Sequence, residues 1–397
     1  MAKLTLKDVE LKGKTVLMRV DFNVPIKDGK ISDDNRIVQA LDSINYVVEN
    51  GAKLILTSHL GRPAGEPDPE FSLKPVAEHL KKLVDVPVHF AEDCIGEKAD
   101  TVIESADEGE IVLLENVRFH AEEKKNDSEF AKQLAKHADL FANDAFGSSH
   151  RAHASVAGVT EFLQPSVSGF LLEKEIKYLE ESVNNPQRPF VAILGGAKVS
   201  DKIGVIENLL TKVDTIIIGG GMTYTFLKAK GWEVGNSLVE EDKVELAGEL
   251  MKKAEKAGVN FMLPIDSVIA KEFKNDAEHK VVDSDEIESG WMALDIGPQA
   301  CLAFGNKIKA AQTVVWNGPM GVFEMENFAE GTFTVAQALA DATKTGATTI
   351  IGGGDSASAI KKAGLMDQVS HVSTGGGASL EYLEGKELPG VVSLTDK

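Results

Sequence analysis

With 397 residues, 43% of them hydrophobic and 26% charged, the chain has a globular balance that excludes wholesale disorder, a collagen-like repeat and a disulfide scaffold, and its length predicts two domains. Its 42 basic and 62 acidic residues leave a net charge of -20, a field that repels nucleic acid and anionic lipid. Two widely separated cysteines, Cys94 and Cys301, give neither a disulfide framework nor a spaced zinc motif, and no apolar run approaches the roughly 20 residues of a membrane span. The start lacks the apolar run of a signal peptide, so the expectation is a cytoplasmic protein without membrane or nucleic acid partners.

Taken in chain order, Thr15 to Val20 is the first buried strand. A helix follows, with Ile37, Ala40, Leu41, Ile44, Val47 and Val48 as its apolar stripe; Asp33 or Asp34 caps its start and Gly51 ends it. Further strands are expected at Lys53 to Thr57, Ile111 to Leu114 and Leu140 to Ala142. A helical stretch from Leu171 to Val183 then runs into the proline- and asparagine-rich 184–189, a linker by composition. The second half repeats the plan with strands at Phe190 to Leu194, Thr215 to Ile218, Thr313 to Val315 and Thr348 to Ile351. Strands alternating with helices predict an α/β fold with parallel sheets.

Only six arginines occur, Arg19, Arg36, Arg62, Arg118, Arg151 and Arg188. Arg36, Arg62, Arg118 and Arg151 fall just after strands or at a helix start, where open α/β sheets place their ligand crevices. His59, His120, His150 and His153 share those turns, which makes the crevice cationic. One such arginine reads equally well as a surface ion pair. Four in equivalent turns point to guanidinium forks that hold phosphate and carboxylate oxygens. Arg19, inside a strand, and Arg188, in the linker, read as structural.

The second half carries adjacent glycines at Gly195–Gly196, Gly219–Gly221, Gly352–Gly354 and Gly375–Gly377. Such turns expose backbone amides to a phosphate at a helix start. None fits a Walker A loop or a dinucleotide fingerprint. Lys198 and Lys202 would both face a phosphate chain if a helix began near Ser200. Asp355 has two readings, a helix cap or a Mg²⁺ ligand through nucleotide phosphates.

These segments together resemble the phosphoglycerate kinase family. The resemblance rests on Val20-Asp21-Phe22-Asn23-Val24-Pro25, Ser58-His59-Leu60-Gly61-Arg62-Pro63, Glu115 to Phe119 and His150 to Ser155 in the first half. In the second it rests on Gly195 to Lys202, Trp316 to Glu324, Gly352 to Ser356 and Gly375 to Ser379. It implies two Rossmann-like domains joined by a hinge: 1–170 binding phosphoglycerate, an interdomain helix and linker at 171–189, 190–374 binding nucleotide, and 375–397 returning to the first domain. It implies that Asp21, Asn23, Arg36, His59, Arg62, Arg118 and Arg151 bind phosphoglycerate. Lys202, Ala293, Asn317, Glu324, Gly353, Gly354, Asp355 and Ser356 are implied to bind ADP or ATP, with Asp355 toward Mg²⁺. Arg36, Lys198, Gly354 and Gly377 are implied to meet the phosphoryl group in flight.

Ala293 stands where many members of that family have glycine. The implied reaction is reversible transfer between 1,3-bisphosphoglycerate and ADP in glycolysis by a monomer. Domain closure is expected to bring the ligands together and exclude water.

Overall fold

Runs with apolar side chains on both faces fold as buried parallel strands, because crossover helices cover both sides of the sheet. The computed structural model describes residues 2–397. One unit takes the residues up to Lys177 together with Glu387–Lys397; the other is Tyr178–Lys386.

In the first unit, β1 (Thr15–Arg19) leads into a short antiparallel hairpin of β2 (Ile26–Lys27) and β3 (Lys30–Ile31). Then come β4 (Lys53–Thr57), β5 (Val88–Ala91), β6 (Ile111–Leu114), β7 (Leu140–Asn143) and β8 (Ser166–Ser168). The main sheet has the order β5-β6-β4-β1-β7-β8, and every pairing in it is parallel. From β1 the chain builds first to one side and later to the other. The loops after β1, β4, β6 and β7 therefore share the carboxyl edge around the point where strand order reverses, which is where such sheets bind ligands. Val16, Met18, Leu54, Leu56, Ile111 and Leu113 fill the core. The helix Asn35–Glu49 adds Ile37, Ala40, Ile44 and Val47 from its apolar stripe. At its start Asp33 Oδ1 accepts from the Asn35 amide at 3.0 Å, whereas Asp34 turns to His79 Nε2 at 2.9 Å.

In the second unit the strands are β9 (Phe190–Leu194), β10 (Thr215–Ile218), β11 (Asn260–Met262), β12 (Asp266–Ala270), β13 (His279–Asp283), β14 (Met292–Ile296), β15 (Thr313–Asn317), β16 (Thr348–Gly352) and β17 (His371–Val372). The parallel sheet runs β11-β10-β9-β15-β16-β17, so its strand order reverses between β9 and β15. A second sheet, β13-β12-β14, is antiparallel. Its members carry no continuous apolar run, because β13 has no buried residue and the buried stretches of β12 and β14 contain the polar Asp266, Ser267 and Asp295. The architecture is the expected α/β class, with two mainly parallel sheets flanked by helices.

The helix Phe170–Asn184 covers the predicted 171–183, and the division between units falls inside it, after Lys177. The closing segment rejoins the first unit at Glu387, later than the expected Gly375. The helix Gly376–Leu383 stays in the second unit, where Asn208 Nδ2 donates to its Leu383 carbonyl at 2.8 Å. Within the first unit, the Thr395 amide donates to the Ser166 carbonyl at 2.9 Å and the Gly390 amide to the Ser149 carbonyl at 2.8 Å. Buried Asn143, at the end of β7, donates through Nδ2 to the Gly390 carbonyl at 2.8 Å. Its Oδ1 accepts from the Ala145 amide at 3.0 Å. Removing that side chain strands buried partners, each worth about 1–3 kcal/mol. Asn143→Ala should therefore destabilise the chain by about 2–4 kcal/mol in urea unfolding followed by circular dichroism, and an unchanged midpoint would refute the tie.

Candidate active site

β1 ends in Arg19, whose guanidinium is wholly buried yet bonded only to neutral groups. Nε donates to Ser155 Oγ at 2.8 Å, Nη1 to the Val20 carbonyl, and Nη2 meets His59 Nδ1 at 3.1 Å. Arginine can only donate, so His59 Nδ1 is the acceptor and the ring is neutral with its proton on Nε2. The surroundings agree: burial, then Arg19, Arg118 and Arg36, holds the His59 pKa well below the usual histidine range. His59 is thus a fixed hydrogen-bond donor in a cationic pocket. Ser155 passes the constraint on, its Oγ donating to buried Glu123 at 2.6 Å.

The neighbouring turns interlock. Asn23 Oδ1 accepts from the Gly61 amide at 2.9 Å, and Arg118 Nη1 donates to the Gly61 carbonyl at 2.7 Å. Gly61 has φ +62, and a β-carbon there would run into the Phe71 ring, so the turn needs glycine. Asn116 Nδ2 donates to the Leu60 carbonyl at 2.7 Å and the Phe71 carbonyl at 2.9 Å. Arg36 Nη1 donates to Asp21 Oδ1 at 3.0 Å and to the Asn23 carbonyl at 3.2 Å. The predicted residues therefore gather at one edge.

Their charges are felt there. Burial pulls Arg118 down to about 10, with further lowering from Arg19 and Arg62. Burial, followed by Arg118, Arg19 and Arg151, pulls His153 down to about 4. Arg62 and Arg151 are exposed and complete a crescent of guanidinium groups. Arg118 Nε is buried without a hydrogen-bond partner, an orphaned donor of the kind that a ligand oxygen satisfies. Sequence pattern assigned Arg19 a structural role; it also positions His59 from beneath the crescent. Arg188 does serve structure, donating to Asp214 Oδ1 at 2.6 Å.

In the second unit, the turns after β9, β10 and β15, with Asp355 beyond β16, line a cavity of about 500 Å³. Leu238, Phe273, Met292, Ala293, Leu294 and Val322 supply apolar wall, and Tyr224, Asn236, Glu324 and Asp355 add polar groups. Tyr224, Asn236, Leu238 and Phe273 carry no sequence signal for this role, since each looks like an ordinary helix or loop residue until the chain folds. A flat apolar slot with few polar groups at its rim suits a planar base with a charged tail.

At the carboxyl edge of β15, Lys202 Nζ donates to Asn317 Oδ1, while Asn317 Nδ2 is buried and lacks a partner. A β-carbon built on Gly353 would lie 3.3 Å from that Nδ2, so the orphaned donor faces the turn that opens the helix Gly354–Lys362. Burial lowers Lys202 to about 8, against the pull of Asp201, Glu384 and Asp355. Ser356 Oγ accepts from the Gly318 amide at 2.6 Å and fixes the turn after β15. A β-carbon on Gly376 would lie 3.1 Å from the Gly354 amide nitrogen, which puts the Gly375–Gly377 turn against the same helix start.

Two expectations change. The helix after β9 begins at Ile203, with Lys202 as the residue before it. Lys198 and Lys202 therefore share no helical face: Lys202 is buried on Asn317 while Lys198 is exposed and feels Glu240. Glu240 accounts for the later start, because it accepts from the Ser200 amide at 3.0 Å and Oγ at 2.6 Å and holds that segment in a turn. Asp355 lies in the first turn of its helix, but the capping position is Gly353 and no side-chain cap bond forms. Its carboxylate instead lines the cavity.

A family model described as phosphoglycerate kinase matches residues 6–386. A curated phosphoglycerate kinase from Chloroherpeton thalassium is 58% identical over 396 residues, covering 100% of both chains. One from Thermosipho africanus is 57% identical over 398 residues, covering 100% of this chain and 99% of its own. The solved structure of phosphoglycerate kinase from Coxiella burnetii superposes with a TM-score of 0.89 at 44% identity, covering 98% of each chain. By family model, whole-chain identity to these relatives and superposition on a solved member, the chain belongs to the phosphoglycerate kinase family.

Proposed function

We propose that the chain catalyses reversible, Mg²⁺-dependent phosphoryl transfer from 1,3-bisphosphoglycerate to ADP, giving 3-phosphoglycerate and ATP, as a cytoplasmic glycolytic monomer. Family membership across the whole chain carries this reading. The crescent of Asp21, Asn23, Arg36, His59, Arg62, Arg118 and Arg151 would grip the acid, whose phosphate and carboxylate match guanidinium forks. The His59 Nε2 proton and the Arg118 Nε proton are donors held ready for its oxygens.

The cavity of the second unit would take the nucleotide, with Ala293 against the base and Glu324 at the rim. Lys202, Asn317, Gly353, Gly354 and Ser356 would meet its phosphate oxygens. The orphaned Asn317 Nδ2 and the open helix start fit an anion there. An exposed carboxylate at that helix start, Asp355, fits a magnesium ion carried by phosphates. Bound there, the ion would neutralise phosphate charge.

No strong base is needed in either direction. A carboxylate with a reference pKa of about 4 is ionised at neutral pH, and His59 and His153 are held neutral and donate or pack instead. The protein's contribution is alignment and charge neutralisation, by Arg36, Lys198 and the amides of Gly354 and Gly377. Transfer would require the reacting oxygens of the two ligands to be brought in line.

Arg36→Lys keeps a charge and loses the fork. It should lower kcat about 10²-fold or more in a coupled assay of ATP formation, and a near-normal kcat would remove Arg36 from catalysis. Lys202 supplies a pH test. Its folded pKa of about 8 leaves a sizeable neutral fraction at pH 8, and a polyphosphate beside it favours the cation. ADP binding at pH 8 should therefore take up protons, seen as buffer-dependent heat in calorimetry, and affinity should fall above that pH. Lys202→Met should abolish the uptake; proton release, or no buffer dependence in the unaltered chain, would refute the assignment.

A further inference from the structure

Behind the turn that carries Arg118, one atom each from Asp93, Cys94 and His120 lies within 4.8 Å of the others. His120 Nε2 and Asp93 Oδ1 are 2.7 Å apart, and the Cys94 amide donates to that same Oδ1 at 2.7 Å. We propose that Asp93, Cys94 and His120 form a binding site for a thiophilic divalent cation, zinc by its donor set, with one coordination position open.

The donors are those of zinc: thiolate, imidazole and carboxylate at about 2.3, 2.0–2.1 and 2.0–2.2 Å respectively. Around a tetrahedral ion such bonds put the ligand atoms about 3.3–3.6 Å apart. The site thus needs Nε2 and Oδ1, 2.7 Å apart, to part by well under 1 Å and the sulfur, within 4.8 Å of both, to approach by at most about 1.5 Å, a shift of side-chain torsions. The local field favours a cation, because Asp93, Glu123 and Glu115 all act on the Cys94 thiol and every one of them is negative. Backbone amides of Cys94 and Ile95 hold the Asp93 carboxylate, a supporting shell that orients a ligand. Asp93 and His120 side chains are 37% and 27% exposed, which leaves an entry path beside the buried sulfur.

On binding, the Cys94 Sγ–H bond breaks, its proton passes to solvent, and the sulfur pair forms the metal bond as a coordinated water leaves. The Nε2 proton of His120 leaves likewise or moves to Nδ1, so that this nitrogen can ligate. No redox change is involved.

The full chain should be titrated with Co²⁺ as a spectroscopic probe and with Zn²⁺ as its competitor. One equivalent of Co²⁺ should bring up a thiolate-to-cobalt charge-transfer band that Zn²⁺ abolishes. Cys94→Ala should lose the band, His120→Gln should weaken binding at least about tenfold, and Cys301→Ala should leave both unchanged. Absence of the band in the unaltered chain, or its survival in Cys94→Ala, would overturn the site. Since Cys94→Ala removes only a small buried group, unchanged circular dichroism would confirm that a lost band reflects the ligand and not the fold.

Discussion

The first unit depends on packing several cationic groups at one sheet edge in a protein whose net charge is -20. Mutual repulsion would splay them apart, and the structure answers with geometry. Arg19 is sealed beneath, held by a hydroxyl, a carbonyl and an imidazole. The Asn23, Gly61 and Arg118 turns are then bonded to one another, and Arg36 is steadied by Asp21. Keeping His59 and His153 neutral limits the repulsion, since two more imidazolium charges would add to guanidinium groups already crowded together. A ligand with phosphate and carboxylate groups would relieve what remains. A pocket so costly to assemble would be selective for dianions.

The second unit would recognise charge by other means. Its cavity is mostly apolar, and its anion-facing groups are peptide amides at a helix start, one amide side chain and one lysine whose charge burial has weakened. Such a site would bind a phosphate chain without a dense cationic field. The contrast gives a physical reason for two separate ligands: guanidinium forks suit a small, highly charged acid, and a slot with bare amides suits a planar base with its phosphates.

Much of this was legible in the sequence because parallel strands leave continuous apolar runs. Lys53–Thr57, Ile111–Leu114, Phe190–Leu194 and Thr215–Ile218 fold with the bounds their composition predicts. Arg36, Arg62, Arg118 and Arg151 could be grouped because each follows a strand or opens a helix. What stayed hidden depends on contacts distant in sequence. In the β12–β14 sheet, β13 has no buried residue and the buried stretches of β12 and β14 are interrupted by Asp266, Ser267 and Asp295; Glu240 delays the helix that Ser200 was expected to start; Gly353 takes the cap position that Asp355 could have held. Asp93 and Cys94 meet His120 only because β5 and β6 are neighbours. The role of Arg19 under His59 likewise cannot be read from a strand residue alone.

The division of ligands between the units is most directly tested by nuclear magnetic resonance on the intact chain, labelled at histidine rings and methionine methyls. With 3-phosphoglycerate alone, the His59 and His153 signals should shift while Met292 and Met320, which line the cavity, stay in place. Mg·ADP alone should do the reverse. If both ligands moved the same set of signals, the account would be contradicted.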